Sequence, residues 1–146
     1  MLSAAAIIIG IITFYIKLTK DSEVAAYRET IAYMDRHADE LRGYWEAIQA
    51  KIADKKQIKL FLNRLEQMAL LVNKKAFDSE LVYGSYWELY CEPLDNKDVS
   101  DFFENARIKD KHVFAEYKKL CDLWAPRIEA EKDGRSFTST QHIDTK

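Results

Sequence analysis

The chain of 146 residues is nearly half hydrophobic and carries a formal net charge of −2. This length suits one domain, and the apolar content is sufficient for a packed core, which excludes a largely disordered chain. Basic residues are interspersed with acidic ones and form no stripe, so the composition argues against a nucleic-acid partner.

The N-terminal segment is strongly apolar. Its first sixteen residues contain no charged side chain, and Lys17 and Lys20 follow. A helix over residues 1–18 nearly spans a hydrocarbon core, because Lys17 can extend its amine to the interface. We therefore predict a transmembrane anchor over residues 1–18, with the lipid bilayer as its partner. The alternatives are a cleavable signal peptide, which lacks the expected preceding positive charge, and an interfacial helix.

The charges around this segment predict its orientation. Lys17, Lys20 and Arg28 follow the apolar run, and no Lys or Arg precedes it. The positive-inside rule then places the C-terminal side in the cytoplasm. The sequence thus predicts a single-pass protein of the inner (plasma) membrane with its N-terminus outside.

A second apolar pattern follows, with steps of three and four residues. Its members are Val24, Tyr27, Ile31, Met34, Ala38, Leu41, Trp45, Ile48 and Ile52. This heptad seam predicts a long helix, and whether that helix continues the N-terminal one is open. The favoured interpretation is that the seam packs on later helices of the same chain. The alternative is a homodimer through the Val24 to Ile52 seam, in which Glu23 and Arg28 have the charges to pair between chains.

The next predicted helix is the most apolar of the remainder. Asp54, in the connection ADKKQ, is a candidate N-cap. The apolar stripe predicted to lie at the centre of the core consists of Ile58, Phe61, Leu62, Leu65, Met68, Ala69 and Val72. One mixed polar stripe remains on this helix, formed by Lys59, Asn63, Glu66 and Asn73.

An aromatic helix follows, with Asp78 as its predicted N-cap and with Phe77 and Val82 placed for a hydrophobic staple. Its aromatic stripe is Tyr83, Tyr86, Trp87 and Tyr90. Such a stripe is more typical of a core than of a ligand site, and its hydroxyls need partners. The polar stripe around Glu66 is the nearest source, so we predict a polar hub of Asn63, Glu66, Tyr83, Tyr86 and Trp87.

The C-terminal part has weaker signals. Pro93 predicts a loop, after which a helix is expected from about Asp98 to Arg107. A last helix is predicted to start near Asp110 and to end or kink at Pro126. The predicted organisation is then the anchor, a cytoplasmic α-helical domain over residues 19–130, and a mobile polar tail over residues 131–146. The fold class is all-α: a transmembrane helix, a long helix and a small antiparallel bundle.

Residues with catalytic or metal-binding potential are sparse. His37, His112 and His142 lie on separate elements, and the acidic segment around His37 is interpreted as a solvated helix face. The cysteines, Cys91 and Cys121, are interpreted as buried free thiols, which suits a reducing compartment. No catalytic, cofactor-binding or metal-binding residue is predicted, and no cofactor is expected.

The stretch FLNRLEQMALLVNKKAFDSELVYGSYWELY resembles the uncharacterised domain-of-unknown-function family numbered 4760. That family combines an N-terminal membrane helix, a long helix, an Asn-x-x-Glu element, an acidic turn residue and a Tyr-Trp pair. The corresponding residues here are Asn63, Glu66, Asp78, Tyr86 and Trp87. The resemblance covers about residues 1–130. It implies this layout and a bacterial or phage setting, and no known activity.

For function, the sequence predicts a non-enzymatic protein-interaction or regulatory module with an unidentified protein partner. The alternative is a small enzyme or effector with a site around Glu66, because a buried carboxylate serves either as a catalytic acid or as a structural hydrogen-bond centre. The structural role is favoured, since the sequence places no second acid, histidine or nucleophile beside Glu66.

Overall fold

The structure is a computed structural model that describes residues 4–134, without the side chains of residues 4–8 and 10. Over these residues the fold is all-α, as predicted, and contains no strand. The elements in chain order are α1 (Ala4–Gln49), α2 (Lys55–Asn73), α3 (Ser79–Cys91), a short 3-10 helix (Glu92–Asp95), α4 (Lys97–Lys109) and α5 (Ala115–Lys132).

The first helix, α1, is continuous from Ala4 to Gln49, which answers the question left open by the sequence. No proline interrupts it, and its 46 residues correspond to a rod of about 69 Å at the usual helical rise. Only its C-terminal part joins the core: Leu41 and Ile48 are almost completely buried, whereas Val24 is half exposed. The helix therefore extends well beyond the body of the protein.

The predicted membrane anchor is wrong for the part of the chain that the structure describes, because none of its helices is sufficiently long and apolar to cross a bilayer. The described uncharged stretch runs from Ala4 to Ile16, about 20 Å of helix, whereas a hydrocarbon core is about 30 Å thick. Lys17, Lys20 and Asp21 follow directly, so any longer segment of this helix includes charged side chains. The predicted single-pass location in the inner membrane is corrected with it.

The second helix, α2, lies at the centre of the bundle and contacts α1, α3, α4 and α5. Its start is fixed by a capping box, in which Asp54 accepts the N–H of Gln57 and the Gln57 side chain accepts the N–H of Asp54. All seven residues of the predicted apolar stripe are buried. The sequence prediction for this helix is confirmed in both its start and its buried face.

The third helix begins at the predicted cap, where the Asp78 side chain accepts the N–H of Leu81. Phe77 and Val82, the two staple residues, are both buried. Pro93 then lies in the first turn of the 3-10 helix, where its missing N–H removes no helical hydrogen bond. The predicted loop at Pro93 is thus a short 3-10 turn that leads into α4.

The last two helices differ from their predicted bounds. The Asn96 side chain caps α4, which is one turn longer than predicted. The fifth helix starts at Ala115, later than the predicted Asp110, and it continues through Pro126 to Lys132. The first residues of the predicted tail are therefore helical, and residues 135–146 lie outside the described part of the chain.

Candidate functional site

Glu66, the central residue of the predicted hub, is directed from α2 toward the start of α5. Its carboxylate oxygens accept hydrogen bonds from the backbone N–H groups of Glu116 (3.2 Å) and Tyr117 (2.7 Å). These are the second and third residues of α5, whose N–H groups have no partner within their own helix. A negative charge at this end also interacts favourably with the helix dipole. Glu66 therefore caps α5 from a neighbouring helix.

The start of α5 lacks a cap of its own. The preceding residue, Phe114, has a left-handed backbone (φ 55°) and no side-chain group that accepts a hydrogen bond. A bulky residue rarely adopts positive φ, so the surrounding structure has to hold it there. Phe114 is buried and stacks on Phe103, with 5.9 Å between the ring centroids. Packing thus holds the turn, and Glu66 supplies the missing acceptor.

Asn73, two turns after Glu66 on α2, contacts the same turn of α5. Its amide group donates to the backbone carbonyl of Glu116 (3.1 Å) and to the Glu116 carboxylate (2.7 Å). Two polar residues of α2 therefore hold the first turn of α5. The sequence placed Asn73 in the polar stripe but gave no sign of this partner, which lies forty-three positions later in the chain.

The other predicted hub residues lie in separate environments. Asn63 is exposed and lines a groove between α2 and α4. Tyr86 is buried, and this burial raises the pKa of its hydroxyl. Trp87 is half-buried against the core. Tyrosine hydroxyls were expected to donate hydrogen bonds to Glu66, but the donors are backbone N–H groups of α5.

Tyr83 belongs to a cluster that joins α3 to the end of α5. Its hydroxyl donates to Glu131 (2.8 Å), and the Arg127 guanidinium lies 3.7 Å from the centroid of its ring. Arg127 also binds Glu80 through two hydrogen bonds of 2.8 and 3.0 Å. Burial and then the Glu131 hydrogen bond raise the pKa of Tyr83 to about 12. At neutral pH the hydroxyl therefore stays protonated and acts as a donor.

A second polar cluster joins α1 to α2. The Glu40 carboxylate accepts hydrogen bonds from Arg64 Nε (3.0 Å) and Tyr44 OH (3.3 Å), and His37 Nδ1 lies 3.3 Å away. Burial alone would raise the pKa of Glu40, but the hydrogen bonds from Arg64 and His37 lower it overall. In this segment Asp35, Arg36 and Asp39 are exposed, as expected for a solvated helix face, whereas His37 and Glu40 are half-buried.

The groove beside Asn63 has a volume of about 1110 Å³. Its lining includes basic, acidic and aromatic side chains: Lys55, Lys59, Lys109, Asp98, Asp101 and Phe102. Within residues 4–134, no three His, Cys, Asp or Glu side chains are grouped so that they could hold a metal ion. His142 lies outside the described residues.

The N-terminal half of α1 carries the largest exposed apolar surface described. The side chains that are 51–70% exposed are Ile9, Ile11, Ile12, Phe14, Tyr15, Ile16 and Leu18. Further along, Val24, Tyr27 and Ile31 are 37–50% exposed and line a shallow groove of about 560 Å³ that reaches Asp78 at the start of α3. Exposed apolar patches of this extent are typical of interaction sites.

Comparison with known proteins gives one positive finding. The family model for DUF4760, a domain of unknown function, matches residues 1–124. The comparison with curated proteins finds no match, and neither does the comparison with solved structures. The match concerns the family alone, so the bacterial or phage setting implied by the resemblance stays a prediction.

Proposed function

The chain belongs to the DUF4760 family, a family of unknown function, and we propose a function for it from its own structure. The protein is a non-enzymatic interaction module that pairs with a second copy of itself along the exposed half of α1. The observation that carries this proposal is the row of apolar side chains between Ile9 and Ile31 that the body of the protein leaves uncovered. Covering them is favourable by about 25 cal/mol per Å² of apolar surface removed from water.

The spacing of the exposed residues supports a helical partner. Val24, Tyr27 and Ile31 follow one another at intervals of three and four, which aligns them along one side of α1. The same pattern continues into the buried half of the helix, where Leu41 and Ile48 contact the protein's own core. The second copy is therefore expected to contact only the exposed N-terminal part of α1, where the pattern has no partner within the same chain.

Charge supports a second copy in parallel orientation. Glu23 and Arg28 flank the exposed pattern and are both exposed, and the ion pairs among residues 4–134 do not include them. In a parallel two-stranded coiled coil, flanking residues five positions apart on opposite chains pair with each other. Glu23 of each copy thus faces Arg28 of the other.

The geometry of Glu66 supports the non-enzymatic part of the proposal. Both carboxylate oxygens accept backbone N–H groups at the start of α5. A carboxylate used in this way stabilises the fold, and freeing it for proton transfer would leave two N–H groups unsatisfied. The alternative of an enzyme centred on Glu66 therefore has less support than the interaction module.

The test is the molar mass of the full chain by sedimentation equilibrium over a range of protein concentrations. The wild type is expected to dimerise, and the double substitution Val24→Glu with Tyr27→Glu is expected to be monomeric, because it places charge in the seam. Ala25→Glu, an exposed position beside the seam, is the matched control and should still dimerise. A wild-type chain that stays monomeric at all concentrations would refute self-association.

Charge exchange tests the parallel orientation. Glu23→Arg alone places like charges opposite each other at both symmetric positions and should weaken the dimer by about 1 kcal/mol, or roughly fivefold in Kd. Combining it with Arg28→Glu restores opposite charges and should recover most of the affinity. If the combined variant is as weak as the single one, the chains do not pair in this register.

A further inference from the structure

The only two cysteines of the chain are brought together by the fold, although they are thirty positions apart. Cys91 is the last residue of α3, and Cys121 lies on the buried face of α5. Cys121 Sγ donates to the backbone carbonyl of Tyr90 at 3.3 Å, which is the peptide bond that leads into Cys91. This contact places the Cys121 thiol beside the peptide bond of Cys91. No CxxC spacing is present, so the pair could not be predicted from the sequence.

The two thiols differ in access and in acidity. Cys91 is half-buried, whereas only 8% of Cys121 is exposed. The neighbouring Cys121 thiol lowers the pKa of the Cys91 thiol, against the opposing effects of burial and of Asp95. Cys91, together with burial, raises the pKa of the Cys121 thiol. Cys91 therefore forms a thiolate more readily and is the one that a small oxidant reaches.

We propose that Cys91 and Cys121 form a peroxide-sensitive dithiol that closes to a disulfide between α3 and α5. The proposal rests on the contact of Cys121 Sγ with the peptide bond that leads into Cys91 and on the access to Cys91. A free thiol pair of this kind is a modification site, and its reagent is a hydroperoxide such as hydrogen peroxide. This disulfide proposal does not depend on the proposed pairing of two chains through α1.

The reaction has two steps. The Cys91 thiolate attacks one peroxide oxygen, so that an S–O bond forms, the O–O bond breaks, and hydroxide leaves to be protonated to water. The Cys121 sulfur then attacks Cys91 Sγ, the S–S bond forms, and the S–O bond breaks. The released hydroxide takes up the Cys121 proton as a second water. Two thiols are thereby oxidised by two electrons, and one peroxide is reduced to two waters.

The surrounding hydrogen bonds fit this reaction. Closing the disulfide removes the Cys121 donor from the Tyr90 carbonyl, and a buried carbonyl without a donor is costly. The Tyr117 hydroxyl donates to the same carbonyl at 2.5 Å and remains in place. The carbonyl thus keeps a partner in both states.

The experiment treats the full reduced chain with one equivalent of hydrogen peroxide at neutral pH and then counts free thiols after denaturation. The expected result is the loss of both thiols, a mass decrease of two hydrogens, and a proteolytic fragment in which Cys91 is linked to Cys121. Dithiothreitol should reverse all three. Persistence of both thiols, or a disulfide found only between chains on a non-reducing gel, would overturn the proposal.

Two serine variants test the assigned order. Cys121→Ser should accumulate a sulfenic acid on Cys91 that dimedone traps, whereas Cys91→Ser should give no adduct under the same treatment. Labelling of Cys91→Ser but not of Cys121→Ser would show that the order is reversed.

The oxidised wild type should melt about 5–10 °C higher than the reduced form, because the cross-link restricts the unfolded chain. Cys121→Ser should show no such rise, and a rise in that variant would overturn the disulfide as its cause.

Discussion

The two halves of α1 differ in what covers their apolar side chains. In the C-terminal half, Leu41 and Ile48 are 1% and 2% exposed, because α2 and its neighbours pack over them. In the N-terminal half, Val24 and Tyr27 are about half exposed, although they belong to the same pattern of three and four. The pattern therefore specifies a helix with one apolar side and leaves open which molecule covers it.

The boundary between the halves is marked by Thr30, which is completely buried. Its hydroxyl donates to the carbonyl of Ala26 (2.7 Å) and accepts the N–H of Asp78 (2.8 Å), the residue that caps α3. Thr30 thus joins α1 to the body through a polar contact. Stability is expected to depend on the buried residues after this point, such as Leu41 and Ile48, and association on the exposed row from Ile9 to Ile31.

The largest effect is expected at Leu41. Leu41→Ala leaves a cavity in the core and should lower the free energy of unfolding by about 2–5 kcal/mol. Val24→Ala removes apolar atoms of the same pattern from a solvated position and should change the free energy of unfolding by less than about 0.5 kcal/mol. Urea unfolding followed by tryptophan fluorescence, at a protein concentration at which the chain is monomeric, measures both. Equal losses in the two variants would contradict the division of α1.

The cap on α5 tests whether the body depends on polar contacts as well. Glu66→Leu leaves the N–H groups of Glu116 and Tyr117 without an acceptor and should cost about 2–3 kcal/mol. Glu66→Gln keeps one acceptor oxygen and should cost about 1 kcal/mol. Thermal and urea unfolding compare them with Asn63→Ala, an exposed control one turn earlier on α2. A cost for Asn63→Ala as large as that for Glu66→Leu would count against the cap.

A smaller loss is expected at the boundary itself. Thr30→Val has nearly the same shape but removes the acceptor of the Asp78 N–H, which should lower the unfolding free energy by about 1–2 kcal/mol. Thr30→Ser keeps the hydroxyl and should lose less. If the valine variant is as stable as the wild type in urea, the hydrogen bond to Asp78 does not hold α1 on the body.

The smallest effect concerns pH. The pKa of Glu40 is lowered in the folded state, so its contribution is present above the ordinary value of 4.5 and is lost as the pH falls through the lowered one. Glu40→Gln should therefore make stability less dependent on pH below about 4.5, by less than about 1 kcal/mol because water screens the pair with Arg64. Urea unfolding between pH 3 and 7 measures this, with Asp39→Gln, an exposed neighbour, as control. An unchanged acid dependence would mean that the Arg64 pair contributes nothing.

The sequence by itself determined the features that depend on neighbouring residues. The caps at Asp54 and Asp78 and the buried stripe of α2 were predictable because capping and helical periodicity act within a few positions of the chain. The all-α class follows from the same local signals. Predicted bounds were less accurate where local signals conflict, as at Pro126, which α5 passes without ending.

Only the tertiary structure decided which residues meet across the chain. The acceptor for the first turn of α5 is Glu66, about fifty positions earlier, and no local pattern indicates that pairing. The same holds for the thiols of Cys91 and Cys121. It also holds for α1, because an apolar face has the same pattern whether the protein's own core covers it or leaves it exposed. Burial depends on which other helices pack against a residue, and the order of residues along the chain does not specify which helices come together in space.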